Sequence, residues 1–180
     1  MKLLLLHGHG ATPGDLLPLA EAVRAAVPSV SVVLPAGPVR LDNGRFAWWI
    51  DDDGPAGAIA SLAPHFGTGP TVVAGFSQGG AVALAAAGQR GVVGVASIGG
   101  FLHDPADFAV PETPMFVAHG RNDVLVDVFH AESLARRAAR LGRNVVLELH
   151  DGGHDWPPVV TEAFVDWLRS HDPGPEKAGV

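Results

Sequence analysis

The stretch Gly75-Phe76-Ser77-Gln78-Gly79-Gly80 constrains this chain more than any other, because the apolar run Thr71-Val72-Val73-Ala74 leads into it and the small-residue run Ala81 to Ala87 leads out. That order predicts a strand, a sharp turn and a helix, with Ser77 at the apex. Residues without a Cβ two positions either side of such an apex let neighbouring backbone pass close, and Gly75 and Gly79 occupy those positions. A helix beginning at Gln78 aims its free N–H groups and the positive end of its dipole at the Ser77 side chain, where an oxyanion would form. The bare pattern G-x-S-x-G is a modest signal in a chain with 23 glycines; the strand before it and the helix after it give it weight. The alternative is a glycine-rich turn with a capping serine.

A serine hydroxyl is a poor nucleophile at neutral pH, so the catalytic reading requires a histidine base and an acid that fixes its tautomer. A second apolar strand, Met115-Phe116-Val117-Ala118, ends in His119-Gly120-Arg121-Asn122-Asp123, which puts Asp123 on a loop past its end. A third, residues 144–149, runs into His150-Asp151-Gly152-Gly153-His154, which puts His154 on another loop at the same sheet edge. The order Ser77, Asp123, His154 matches a nucleophile-elbow hydrolase, in which ligands bind at the carboxyl ends of parallel strands. The second oxyanion donor comes from the loop after an early strand. Leu3-Leu4-Leu5-Leu6 ends in His7-Gly8-His9-Gly10, so the backbone N–H groups of His9 and Gln78 are the expected pair. His150, four positions before His154, is the rival base, and Asp127, which can instead cap a helix beginning near Val128, is the rival acid.

Together LLLLHGHG, GFSQGG, HGRND and GGH resemble the phospholipase/carboxylesterase family of α/β hydrolases, which includes bacterial carboxylesterases and acyl-protein thioesterases; the likeness runs from about residue 3 to residue 168. The resemblance implies that Ser77 is the nucleophile, that Asp123 orients His154, and that His9 and Gln78 supply the oxyanion donors. Arg45-Phe46-Ala47-Trp48-Trp49 is similar to the tryptophan-containing loop that lines the substrate cleft in these enzymes. The chain departs from many members at Ala11, where they carry aspartate, and in being shorter.

Composition frames this site. At 180 residues and 47% hydrophobic, the chain is expected to form a single compact domain over 1–171 that buries roughly 70% of its unfolded surface, with residues 172–180 a flexible tail. Twelve basic and 19 acidic residues give a net charge of -7, which argues against nucleic acid or an anionic membrane as partner. The absence of cysteine removes disulfides and thiol catalysis. The apolar opening Leu3–Leu6 is too short for a secretory signal and is ended by His7-Gly8, so a cytoplasmic protein is the default. His7 and His9 form an H-x-H pair with no spacing partner to complete a metal shell. Neither metal nor cofactor is expected. The expected partner is a small-molecule ester or thioester, with monomer and homodimer both open.

The fold class expected is α/β: a mostly parallel central sheet of about six to seven strands flanked by helices, without a separate cap domain. Strands are expected at 2–6, 30–34, 71–76, 92–98, 115–119 and 144–149. Asp15 is the expected cap of a helix over Leu16 to Ala26. Ile59, Leu62 and Phe66 mark one further helix; Ala131, Leu134, Ala138 and Leu141 mark another; Val160, Phe164, Trp167 and Leu168 mark the last. Two stretches, 35–50 and 99–113, resist regular assignment and are expected to hang over the catalytic edge. From them and from the His154 loop, Trp48, Trp49, Phe101, Leu102 and Trp156 are candidates to line an acyl or alcohol pocket. Ordinary core packing is the alternative for each. Adjacent residues on an extended chain point to opposite sides, so at most one of Trp48 and Trp49 is expected to face substrate.

The residues therefore favour a serine carboxylesterase acting on short to medium acyl esters through an acyl-enzyme. Acyl thioesterase or lysophospholipase-type activity, with the same three residues, is the first alternative. A non-catalytic small-molecule binding module on a hydrolase fold is the second.

Overall fold

Apolar residues run consecutively along the strands, so each strand must be covered on both faces, and only a layered arrangement can do that. The computed structural model describes residues 1–104 and 111–172. Residues 173–180 of the expected tail and positions 105–110 of the second irregular stretch lie outside the described residues. In chain order the elements are β1 (Lys2–Leu6), α1 (Leu17–Ala26), β2 (Ser31–Val33), β3 (Val39–Arg40), β4 (Phe46–Ala47), α2 (Ala56–Leu62), β5 (Thr71–Phe76), α3 (Gln78–Ala85), β6 (Val92–Ile98), β7 (Met115–Gly120), α4 (Phe129–Arg140), β8 (Val145–His150) and α5 (Pro158–His171).

Six strands form one parallel sheet in the order β2-β1-β5-β6-β7-β8. The chain winds outward from β1 to β2 and then in the opposite direction from β5 onward. The reversal between β1 and β5 is a topological switch point, where an open α/β sheet leaves a crevice at its carboxyl edge. The β1–β5 register pairs Leu5 with Ala74 and Leu6 with Gly75, so His7-Gly8 and Phe76-Ser77 leave the sheet side by side.

Leu4, Leu6, Val73, Val95, Met115 and Val117 face one side of the sheet, with Leu62, Val82, Leu134 and Ala138 of the helices α2, α3 and α4. Their neighbours Leu3, Leu5, Val72, Ala74, Phe116 and Ala118 face the other side, with Ala20 and Val23 of α1 and Val160, Phe164 and Leu168 of α5. This is the period-two alternation of a pleated strand carried through a three-layer stack.

Three local features depart from the sequence expectation. The first irregular stretch contains the β3–β4 ribbon, which pairs Val39 with Ala47 and Arg40 with Phe46; strands this short leave no periodicity to read. Asp15 does not cap α1. Its carboxylate accepts the Thr12 N–H at 2.8 Å and the Thr12 hydroxyl at 3.1 Å, fastening a 3-10 turn over Pro13–Leu16 ahead of the α-helix. Leu141, expected on the buried stripe of α4, is 56% exposed because it sits past the last helical turn. Among the described residues no helix is long and apolar enough to cross a membrane.

Phe116 is fully buried, with ring centroids 5.8 Å from Phe164 and 5.9 Å from Trp167, so it joins β7 to α5. Phe116→Ala is expected to cost about 3–5 kcal/mol, against under about 1 kcal/mol for Val146→Ala on the exposed side of β8. Urea denaturation of both variants measures the difference.

Candidate active site

Ser77 links β5 to α3 at φ 56° and ψ -118°, a conformation that strains a residue bearing a Cβ by about 1–3 kcal/mol. The surroundings over-determine it. The Ser77 N–H donates to the Ile98 carbonyl at 2.9 Å, and the Ser77 carbonyl accepts from Gly80 at 2.9 Å and Ala81 at 3.1 Å. A Cβ on Gly75 would overlap the Gly79 carbonyl, and one on Gly79 would overlap the Leu6 carbonyl. Both glycines are thus required by close backbone approach.

Asp123 follows β7 and His154 follows β8, and the two loops are tied together. Arg121 N–H donates to the His150 carbonyl at 2.8 Å and Asn122 N–H to the Gly152 carbonyl at 3.0 Å. His154 Nδ1 then lies 2.7 Å from Asp123 Oδ2. A carboxylate only accepts, so Nδ1 carries a proton, and the neutral tautomer this contact selects has its lone pair on Nε2. The imidazole packs on Phe76, the residue before Ser77, with ring centroids 4.8 Å apart. The carboxylate side chain is fully buried, yet it has donors on both oxygens. Oδ1 accepts the N–H groups of Leu125 and Val126, each at 2.9 Å. His119 Nε2 lies 3.2 Å from Oδ2 and 2.9 Å from the Val126 carbonyl, two acceptors that together require a proton on that nitrogen. Burial pushes the Asp123 carboxyl up, but the Val126 N–H, His154 and the Leu125 N–H outweigh it and hold it below the usual carboxylate range.

The loop after β1 lies beside Ser77: a side chain at Gly8 would stand 3.4 Å from Ser77 Cβ. Gln78 is the first residue of α3, and His9 lies in this loop. Among the described residues neither backbone N–H has a hydrogen-bond acceptor. The loop is braced by the segment around β4. Gly10 N–H donates to the Phe46 carbonyl at 2.9 Å, Phe46 N–H to the Ala11 carbonyl at 2.9 Å, Arg45 Nη1 to the Gly10 carbonyl at 2.8 Å, and Trp48 Nε1 to the His7 carbonyl at 2.8 Å. The Gln78 side chain closes the circuit: its Oε1 accepts the Trp48 N–H and its Nε2 donates to the Trp49 carbonyl, both at 2.9 Å. Sequence reasoning reaches only the backbone of Gln78 and misses both this bracing role and the contact of His119 with the acid. The four-residue spacing of His119 and Asp123 is the signal that could have found the latter.

The rivals take other work. His150 Nδ1 accepts the Gly152 N–H at 3.1 Å, and Asp127 Oδ1 accepts the Phe129 N–H at 2.8 Å at the start of α4. The five residues expected to form a substrate wall are placed differently from one another. Trp48 is 1% exposed, stacks on His7 with centroids 5.1 Å apart and is spent on bracing, so it does not face a cleft. Trp49 is buried in the core, Leu102 is buried but borders a small cavity of about 210 Å³ beside α3, and Phe101 is half-buried with its ring 6.1 Å from Trp49. Trp156 alone of the five borders the larger cavity, about 700 Å³, which also touches Gly8 and Phe76.

His7 offers a pH test. Its Nδ1 donates to the Gly8 carbonyl at 2.8 Å and its Nε2 accepts the Gly37 N–H at 3.0 Å, an arrangement only the neutral ring can make. Burial lowers its pKa from the ordinary 6.5, against an opposing contribution from the Gly8 carbonyl. Below that value the unfolded chain binds a proton that the folded chain resists, so His7 lowers stability as pH drops from its ordinary to its depressed pKa and does nothing above. His7→Gln is expected to be less stable at neutral pH yet to lose less stability between about pH 7 and about pH 5 than the unsubstituted protein. Chemical denaturation across that range reads the two slopes.

Comparison with known proteins bears on the fold and the family. A family model described as Phospholipase/Carboxylesterase matches residues 60–171. No curated protein sequence matches. Among solved structures, esterase PE8 superposes with a TM-score of 0.80 at 24% identity, covering 94% of this chain and 92% of its own. The Bacillus cereus carboxylesterase gives 0.77 at 24%, covering 94% and 87%. Zea mays acyl-protein thioesterase 2 gives 0.71 at 22%, covering 94% and 93%. At these identities the likeness establishes the shared α/β-hydrolase fold, and the match over residues 60–171 establishes that this chain belongs to the phospholipase/carboxylesterase family.

Proposed function

We propose that this protein is a serine carboxylesterase that cleaves short to medium acyl esters through an acyl-enzyme on Ser77. The observation that carries the reading is the 2.7 Å contact between His154 Nδ1 and the buried Asp123 carboxylate, because it leaves Nε2 as the basic nitrogen on a ring packed beside the strained serine turn. In this mechanism Nε2 of His154 takes the Ser77 proton as Oγ attacks the ester carbonyl. The oxyanion forms between the N–H groups of His9 and Gln78, with the start of α3 adding its dipole. His154 then protonates the departing alcohol, and a water deprotonated by the same nitrogen releases the acid. The imidazolium that forms in each half-reaction is stabilised by Asp123, whose own ionisation is secured by its backbone donors. No cofactor enters these steps. The same groups accommodate a thioester, since only the leaving atom changes.

Labelling with a fluorophosphonate and turnover of an ester and thioester panel test the proposal. Ser77→Ala is expected to lose labelling and on the order of 10⁴- to 10⁶-fold in kcat. Asp123→Asn is expected to lose about 10⁴-fold by presenting the wrong tautomer. Asp127→Asn and His150→Ala are expected to act on stability while retaining turnover. Labelling of a folded Ser77→Ala protein, or a dead Asp127→Asn beside an active Asp123→Asn, would overturn the assignment.

A further inference from the structure

With Trp48 and Trp49 closed into the core on one side of the sheet, the ester's apolar part needs another place, and an open apolar volume lies on the other side, where α1 and α5 pack. A cavity of about 700 Å³, within the range of small-molecule sites, lies between α1 and the start of α5. Leu16, Leu19 and Ala22, spaced three apart, form one wall; Trp156 and Thr161 form the other. Gly8 and Phe76 form the end nearest the proposed site. The cavity adjoins that site at these two residues. A side chain at Gly8 would touch Ser77 Cβ, and the Phe76 ring that borders the cavity also packs on His154. The carboxylates on its border, Asp15 and Glu162, disfavour an anionic occupant. Leu16 to Ala22 span about 9 Å of helix, which, with the reach from Ser77, suits a chain of about eight to ten carbons.

We infer that this cavity is the subsite for the neutral apolar chain of the substrate, acyl or alkyl. The inference rests on the proposed esterase reading. It specifies that substrates are medium-chain neutral esters and that the determinants of chain length lie on α1 and α5.

Two ester series distinguish the sources of the chain: p-nitrophenyl esters from acetyl to dodecanoyl, and acetates of alcohols from ethanol to decanol. In the unsubstituted protein kcat/KM is expected to rise about fourfold per methylene in one series, up to about eight to ten carbons. Ala22→Trp, at a solvent-facing position, and Thr161→Phe are expected to flatten that rise beyond about four carbons while leaving ethyl and p-nitrophenyl acetate within about twofold. A rise confined to the first series makes the cavity an acyl subsite, and one confined to the second makes it an alcohol subsite; either supports the inference. Identical chain-length profiles in the unsubstituted protein and a folded variant overturn it. Calorimetric titration of Ser77→Ala with 1-octanol needs no turnover and separates the two readings. Binding weakened about tenfold by adding Ala22→Trp or Thr161→Phe supports the cavity even if no ester is cleaved, whereas absent or unaffected binding overturns it even in an active esterase.

Discussion

Three stretches of backbone meet where β1 ends, β5 ends and α3 begins, and no side chain fits between them. Gly75 lies against the Gly79 carbonyl and Gly79 against the Leu6 carbonyl. This crossing allows a helix to start directly above a strand, which forces Ser77 into its positive-φ conformation and turns the first N–H groups of α3 toward it. It also joins the geometry of the turn to that of the sheet. β1 and β5 are neighbours at the point where the winding reverses, so the loop carrying His9 and the turn carrying Ser77 leave the same part of the carboxyl edge. The remaining elements complete a site whose centre is already set.

Behind that centre the bracing polar groups are densely paired. The segment from Arg45 to Trp49 spends its backbone and indole on the loop after β1, and the Gln78 side chain spends both of its polar atoms on the same segment. Each such hydrogen bond contributes only about 0.5–1.5 kcal/mol net, but leaving one buried partner unmade costs about 1–3 kcal/mol, so the network resists partial opening. Rigidity of this kind is what the proposed oxyanion site requires, because donors stabilise developing charge in proportion to how little they must reorganise. Asp123 obeys the same logic: two backbone donors and two histidines fix one carboxylate between β7 and β8.

Much of this was legible in the amino-acid order because it depends on local rules. The six strands of the main sheet, the glycines of the serine turn and the chain order of Ser77, Asp123 and His154 are set by apolar runs, by residues lacking a Cβ and by the loop residues at the end of each strand. His154 and His150 could be told apart because one comes after Gly152-Gly153 and the other ends a strand. Asp127 revealed its competing role through its place just before a helix.

The parts that were not legible depend on contacts between segments far apart in the chain. Aromatic character suggested Trp48 and Trp49 as a substrate wall, yet their environment is decided by Gln78 and His7, about thirty and forty residues away. A tryptophan that braces a loop and one that lines a cleft have the same sequence signature, and only the packing of the β3–β4 ribbon distinguishes them. The cavity between α1 and α5 is of the same kind. Its walls are ordinary amphipathic helix residues, brought together from α1 and the start of α5 on one face of the sheet. The sequence by itself determined the layered fold, the strained serine turn and the two loops on which Asp123 and His154 meet, since these rest on backbone sterics and periodicity. Tertiary structure alone decided which apolar side chains are sealed and which border open space, since burial is a property of how distant surfaces meet.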